Sequence, residues 1–174
     1  MTKFLLFCMT FIPVQAAMAL SYTLEMTEAE IQQKVSAMMP IEKKILFGTV
    51  KLFDPKIALV KESNEIAVAT EIRVNLVGGL SVSGTTKVKG QIRYEAKAGE
   101  FFLKDSTLEE FVIEKLPEKY HHAVKVAVEK MMQKVLSKKP VYKLKDDNLK
   151  HKLVKAVLQS VTVKDEKLVV VFGL

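Results

Sequence analysis

The chain has 174 residues, 49% of them apolar and 27% charged, a make-up that fits one globular domain and argues against a disordered chain. The formal net charge of +7 makes basicity the first compositional signal. No internal repeat, low-complexity tract or linker-like stretch divides the chain.

At the N-terminus, Lys3 supplies a positive end, Phe4 to Val14 form a short apolar stretch interrupted by Pro13, and small residues follow at Ala16, Ala17 and Ala19. That is the tripartite form of a secretory signal. Ala17-Met18-Ala19 fits the small-x-small cleavage rule, and Val14-Gln15-Ala16 fits it nearly as well. The apolar stretch is shorter than the roughly 20 residues a spanning helix needs. The expected division is a signal peptide over 1–19 and a single domain over 20–174. The one cysteine, Cys8, lies within the apolar stretch and follows Phe7, where lipid attachment would require a small residue. The expectation is therefore a periplasmic protein, soluble after cleavage, with neither a lipid anchor nor a disulfide.

Tyr22 to Glu25 can be extended. Thr27 then has the form of a helix N-cap, with Glu30 three residues on to complete a capping box. Ile31, Val35 and Met38 recur on one face of that helix, which should stop at Pro40. From Leu46 to Ile113 the period changes to two. Ile66, Val68, Ile72, Val74 and Leu76 alternate with Ala67, Ala69, Glu71, Arg73 and Asn75, and Val82, Val88, Ile92 and Tyr94 continue the pattern in the next strand. Glu62-Ser63-Asn64 and Lys97-Ala98-Gly99 read as hairpin turns and Gly78-Gly79 as a looser corner. Consecutive strands followed by helices predict an antiparallel meander and an α+β class.

Pro117 and Glu118 suit the first turn of a helix running to about Lys138. Tyr120, Val124, Ala127, Val128, Met131 and Val135 share its apolar stripe, opposite Lys119, Lys125, Glu129, Lys130, Gln133 and Lys134. Asp146-Asp147 could cap a further short helix carrying Leu149, Leu153, Ala156 and Val157. Ser160 to Val163 and Leu168 to Phe172 predict a terminal β-hairpin, whose last strand is apolar enough to pair inside a sheet rather than form an edge.

Catalytic chemistry has little to start from. His121 and His122 are neighbours pointing about 100° apart on a helix, without ligands at the next turn, so no metal site is expected. There is no G-x-S-x-G elbow, no S-x-x-K, no Walker-type loop and no dinucleotide fingerprint. The paired acids Glu109-Glu110 and Asp146-Asp147 suit turns or caps better than acid–base work. The expectation is a non-enzyme with no cofactor.

The positive charge is concentrated: residues 115–155 hold 12 lysines against 4 acids. Lys119, Lys125, Lys130, Lys134 and Lys138 form a basic surface that suits an anionic membrane surface or an acidic envelope protein, or simply a solvated face. Export and the scarcity of stacking aromatics argue against nucleic acid. Met38, Met39, Met131 and Met132 suit either an ordinary core or a pocket for acyl chains.

The capped start Thr27-Glu28-Ala29-Glu30-Ile31, the segment Gly99-Glu100-Phe101-Phe102-Leu103-Lys104, the post-helix Pro140-Val141-Tyr142-Lys143-Leu144 and the closing strand Lys167 to Phe172 together resemble the YceB-like family of bacterial envelope lipoproteins, whose function is undefined. The resemblance covers essentially the whole chain after the leader. It implies a curved antiparallel β-sheet wrapped around one long C-terminal α-helix, with a short N-terminal helix and the terminal hairpin. It also implies a groove for lipid or another apolar small molecule, lined by Val124, Val128, Met131 and Val135 from the helix and Ile72, Val74, Val88 and Ile92 from the sheet. The lipid-anchored cysteine of that family has no counterpart here. Two functions follow as expectations: a periplasmic module binding an apolar ligand in that groove, or a structural and protein-interaction module with a packed core and a lysine-rich docking face.

Overall fold

The computed structural model describes residues 21–95, 97–144 and 158–173. The expected signal peptide and the short helix after Asp146-Asp147 lie outside these residues.

The described chain is mostly strand. In order it forms β1 (Ser21–Thr27), α1 (Glu28–Ser36), β2 (Ile41–Ile45), β3 (Gly48–Leu59), β4 (Glu65–Leu76), β5 (Ser81–Glu95), β6 (Glu100–Ile113), α2 (Glu118–Lys138), β7 (Tyr142–Lys143), β8 (Leu158–Lys164) and β9 (Lys167–Gly173). Two antiparallel sheets result: a six-stranded one in the order β2-β3-β4-β5-β6-β7 and a three-stranded one in the order β1-β9-β8.

This corrects the expected fold class, a single curved sheet wrapped around a long C-terminal helix. The long helix falls mid-chain, followed by β7, β8 and β9. The apolar last strand β9 does pair on both edges, but with β8 and the N-terminal strand β1. Met26 lies opposite Leu168, Leu24 opposite Val170, and Tyr22 opposite Phe172. Leu168, Val170 and Phe172 are buried there. Pairing on both edges satisfies the β9 backbone, and a separate sheet is the consequence.

Local chemistry accounts for most elements. Thr27 caps α1, with Thr27 N–H donating to a Glu30 carboxylate oxygen at 2.9 Å and Glu30 N–H donating to Thr27 Oγ1 at 3.3 Å. The helix ends at Ser36, short of Pro40, and Met38 and Met39 continue as hydrogen-bonded turns. In β5 the even-numbered residues from Val82 to Ile92 point inward, except the half-buried Gly84, so one period-two pattern runs through a 15-residue strand. β4 alternates cleanly only from Thr70 onward; Ile66, Ala67 and Val68 are all buried.

Beyond Leu52, β3 has no β2 partner, and its register shifts around Asp54 and Pro55. A proline inside a strand is tolerated at such a bulge. Helix α1 takes over the role of the missing strand: Gln32 Nε2 donates to Pro55 O at 2.5 Å, and Ile57 N–H donates to Gln32 Oε1 at 2.8 Å. Glu28 accepts from Leu59 N–H at 3.3 Å.

The sheets share one core. The β3–β4 turn meets β8 through Val163 N–H to Ser63 O at 2.6 Å and Glu62 N–H to Val163 O at 3.0 Å. Helix α2 packs chiefly on β6 and touches β2 and β3. Ile31 and Val35 of α1, Val124 and Leu136 of α2, and inward residues of both sheets belong to a single apolar cluster.

Candidate functional site

The long helix decides where charge can collect. Lysines at 130, 134 and 138 are spaced four apart, so they fall within about 80° of one another on α2. The edge strand β2 lies beside this face. Between them is a cleft of about 360 Å³, lined by Ile41, Glu42, Lys43, Lys130, Met131, Lys134, Val135, Lys138 and Lys139. Its apolar residues are Met131, almost wholly buried, and the half-buried Val135 and Ile41. All five lysines are exposed, and Glu42 is the one acid among the lining residues. Among the described residues, no carboxylate lies within ion-pairing distance of these five lysines.

The same three lysines of α2 also border a second hollow of about 600 Å³ with Lys104, Asp105, Ser106, Gln133 and Ser137. There the side chains are engaged internally. Lys104 Nζ donates to Ser137 O at 3.1 Å and Gln133 Nε2 donates to Ser106 O at 3.1 Å. Lys104 also lies 5.2 Å from the centre of the Phe102 ring. A third hollow beside Pro40 and Pro55 is crossed by Arg73, stacked over Phe53 at 5.4 Å. Of these three hollows among the described residues, the first combines an apolar floor with several uncommitted cations.

The expected groove residues go elsewhere. Val124, Val128 and Met131 of α2, Ile72 and Val74 of β4, and Val88 and Ile92 of β5 are all buried in the common core. Of the eight, Val135 and Met131 border the cleft. The inward stripe of α2 is also rotated from the expected one: Met132 and Leu136 are fully buried, whereas Val135 is half-buried. The five expected basic residues do not act as one surface. Lys130, Lys134 and Lys138 come together; Lys119 sits at the other end of the helix, 4.9 Å from the Tyr120 ring centre. Lys125 projects from a different side, more than 120° from the three by helix geometry. Lys43 and Lys139 were not singled out by the sequence. The only signal for Lys43 was the run Glu42-Lys43-Lys44 between Ile41 and Ile45, which is the charged pattern of an edge strand.

The titratable groups that drew attention have structural partners. His121 Nε2 is 2.8 Å from Leu116 O, and His122 is exposed. Glu109 bridges Lys87 at 3.5 Å and Lys89 at 3.3 Å, and Lys89 also reaches Glu65 at 3.3 Å. The Lys89 hydrogen bond holds the Glu109 carboxyl below the usual range, and Glu109 and Glu65 hold the Lys89 ammonium above its own. Among the described residues, no three His, Cys, Asp or Glu side chains gather as a metal site. No described helix is long and apolar enough to cross a membrane.

Two antiparallel sheets with two helices, sharing one apolar cluster and carrying a basic cleft at one sheet edge, define a mostly-β module. The chain belongs to the DUF1439 family of proteins of unknown function, whose pattern matches residues 26–167, from the last inward residue of β1 to the start of β9. No curated protein matches the chain.

Proposed function

We propose that this protein is an exported, non-enzymatic module of the bacterial cell envelope that binds an anionic lipid at the cleft between β2 and the C-terminal half of α2. The observation that carries the reading is the pairing of an apolar floor, Met131, Val135 and Ile41, with a rim of Lys43, Lys130, Lys134, Lys138 and Lys139. An acyl segment lies on such a floor while ammonium groups pair with a phosphate or carboxylate head. The cleft volume falls at the lower end of the range of about 300–1,000 Å³ typical of small-ligand sites. The expected interior groove is replaced in this reading, because its residues pack against one another in the core.

Export is supported by Lys3, the apolar stretch from Phe4 to Val14 and the small residues before Leu20. The resemblance to YceB-like envelope lipoproteins supports the compartment. The test is native mass spectrometry of protein made from the full coding sequence, exported by a bacterium and purified without detergent. The expected result is an added mass that organic extraction releases as an anionic lipid, lost in a Lys134→Glu/Lys138→Glu variant. A bare protein mass, together with failure to take up added phosphatidylglycerol, overturns the reading. It would leave a packed interaction module whose lysine face meets an acidic protein.

A further inference from the structure

Most large apolar side chains among the described residues are buried or half-buried, and three of the four exceptions sit on two neighbouring hairpin turns. Leu46 is 99% exposed at the β2–β3 turn, and Val77 and Leu80 are 79% and 44% exposed at the β4–β5 turn. The turns are tied together: Val77 N–H donates to Phe47 O at 2.9 Å. Gly48 permits this approach, since a Cβ there would lie 2.0 Å from Asn75 O. Between Val77 and Leu80, Gly78 and Gly79 have φ of 100° and 88°, and a Cβ on either would meet nothing within 4 Å. The turn therefore projects freely. None of these residues lines the three clefts described above.

Exposed apolar residues normally cost solubility, so a cluster held in place by hydrogen bonds calls for a partner. Its surroundings indicate which. The Phe47 ring stacks on Tyr120 at 4.7 Å, and the Lys119 ammonium lies 4.9 Å from the centre of the Tyr120 ring. Lys44 is exposed on β2, two residues before Leu46. Two cations thus flank the apolar tip, with Glu118 beside Lys119 and Glu42 farther along β2 as the nearby acids in sequence. A projecting tip of three aliphatic side chains is too small to form a specific protein interface, which takes about 800 Å² from each partner. It is suited to insertion between lipid headgroups, with aromatic and lysine side chains at the headgroup level.

We propose that the Leu46–Phe47 and Val77–Leu80 turns form a membrane-docking tip that inserts into an anionic lipid bilayer. The tip lies at the α2 N-terminus, about ten residues and roughly 15 Å along the helix from the lysine cleft, and does not depend on the ligand assigned to that cleft. Docking by the tip would hold the protein against a lipid surface with α2 pointing away from it.

The chain contains no tryptophan, which makes the test direct. A Leu46→Trp variant of the full-length-encoded protein provides a single indole at the tip. With vesicles of phosphatidylglycerol and phosphatidylethanolamine, its emission should move to shorter wavelength and be quenched by lipids brominated along the acyl chain. A Leu46→Asp/Val77→Asp variant should lose vesicle co-flotation by at least about tenfold, the factor that burial of aliphatic side chains commands. Circular dichroism checks its fold, which these exposed positions should leave intact. Lys134→Glu/Lys138→Glu placed in the Leu46→Trp protein should keep the emission shift, separating this tip from the cleft. The proposal is overturned if emission ignores the vesicles, if the double aspartate variant floats like the parent, or if the shift arises without lipid as protein concentration rises. That last outcome would make the tip a contact between two copies.

Discussion

Tyr94 of β5 and Phe172 of β9 meet edge to face with ring centres 5.5 Å apart, so a residue of the six-stranded sheet touches the middle strand of the other. Tyr94 also lies against Phe101 at 4.8 Å, and Phe101 against Tyr142 at 6.1 Å. An aromatic row thus links β5, β6, β7 and β9. The ring quadrupoles favour this tilted and edge-on geometry over flat stacking.

The Tyr94 hydroxyl is buried and finds no hydrogen-bond partner among the described residues, and burial raises its pKa. A buried hydroxyl without a partner carries a desolvation cost, while its ring carries the packing. Tyr94→Phe should therefore leave stability unchanged or raise it by up to about 1 kcal/mol. Tyr94→Ala should cost about 2–3 kcal/mol, less than the roughly 3–5 kcal/mol of a fully buried aromatic, because Tyr94 is half-buried. Urea unfolding of both variants checks this; a clear loss in Tyr94→Phe would mean that the hydroxyl has a partner.

The rotation of the α2 stripe makes a second prediction. Leu136 is fully buried, so Leu136→Ala should cost about 2–5 kcal/mol. Val135 is half-buried at the cleft, so Val135→Ala should cost about 1 kcal/mol or less while weakening ligand uptake. Thermal unfolding of the two variants side by side separates these expectations. Equal losses would place both residues in the core.

The ion-pair cluster on β5 and β6 predicts a pH dependence. Glu109 has a lowered pKa in the folded protein, chiefly through its hydrogen bond to Lys89. Its contribution is present above the ordinary value of 4.5 and is lost as pH falls through the lowered folded value. Lys89 is raised above 10.5, so its contribution is present below that value and lost as pH rises through the folded one. Glu109→Gln should lower the urea midpoint slightly at pH 7, the groups being solvent-screened. The gap from the parent protein should close on acidification below about pH 4. A gap that persists at pH 2 would assign the effect to packing.

Processing of the N-terminus gives a fourth prediction. N-terminal sequencing of protein recovered from a bacterial periplasm should begin at Leu20, or at Ala17 if the earlier site is used. Retention of Met1 on protein in the cytoplasm would remove the basis for an envelope role.

The sequence by itself determined the elements whose physics is local. The Thr27–Glu30 capping box needs only four consecutive residues. The inward run from Val82 to Ile92 needs only period two, and the hairpin turns at Glu62-Ser63-Asn64 and Lys97-Ala98-Gly99 need only their own residues. Alternation fixes which face of a strand is dry, but not which strand it pairs with. So the tertiary structure alone decided that β9 joins β1, an arrangement whose Lys167–Glu25 contact spans 142 residues of chain. It likewise decided that Met132 and Leu136 turn inward and Val135 half outward, because neighbouring positions on an apolar stripe differ only in what packs opposite them. Lys43 and Lys130, and Leu46 and Val77, became neighbours for the same reason: each pair is carried by elements that sequence distance separates and sheet and helix packing brings together.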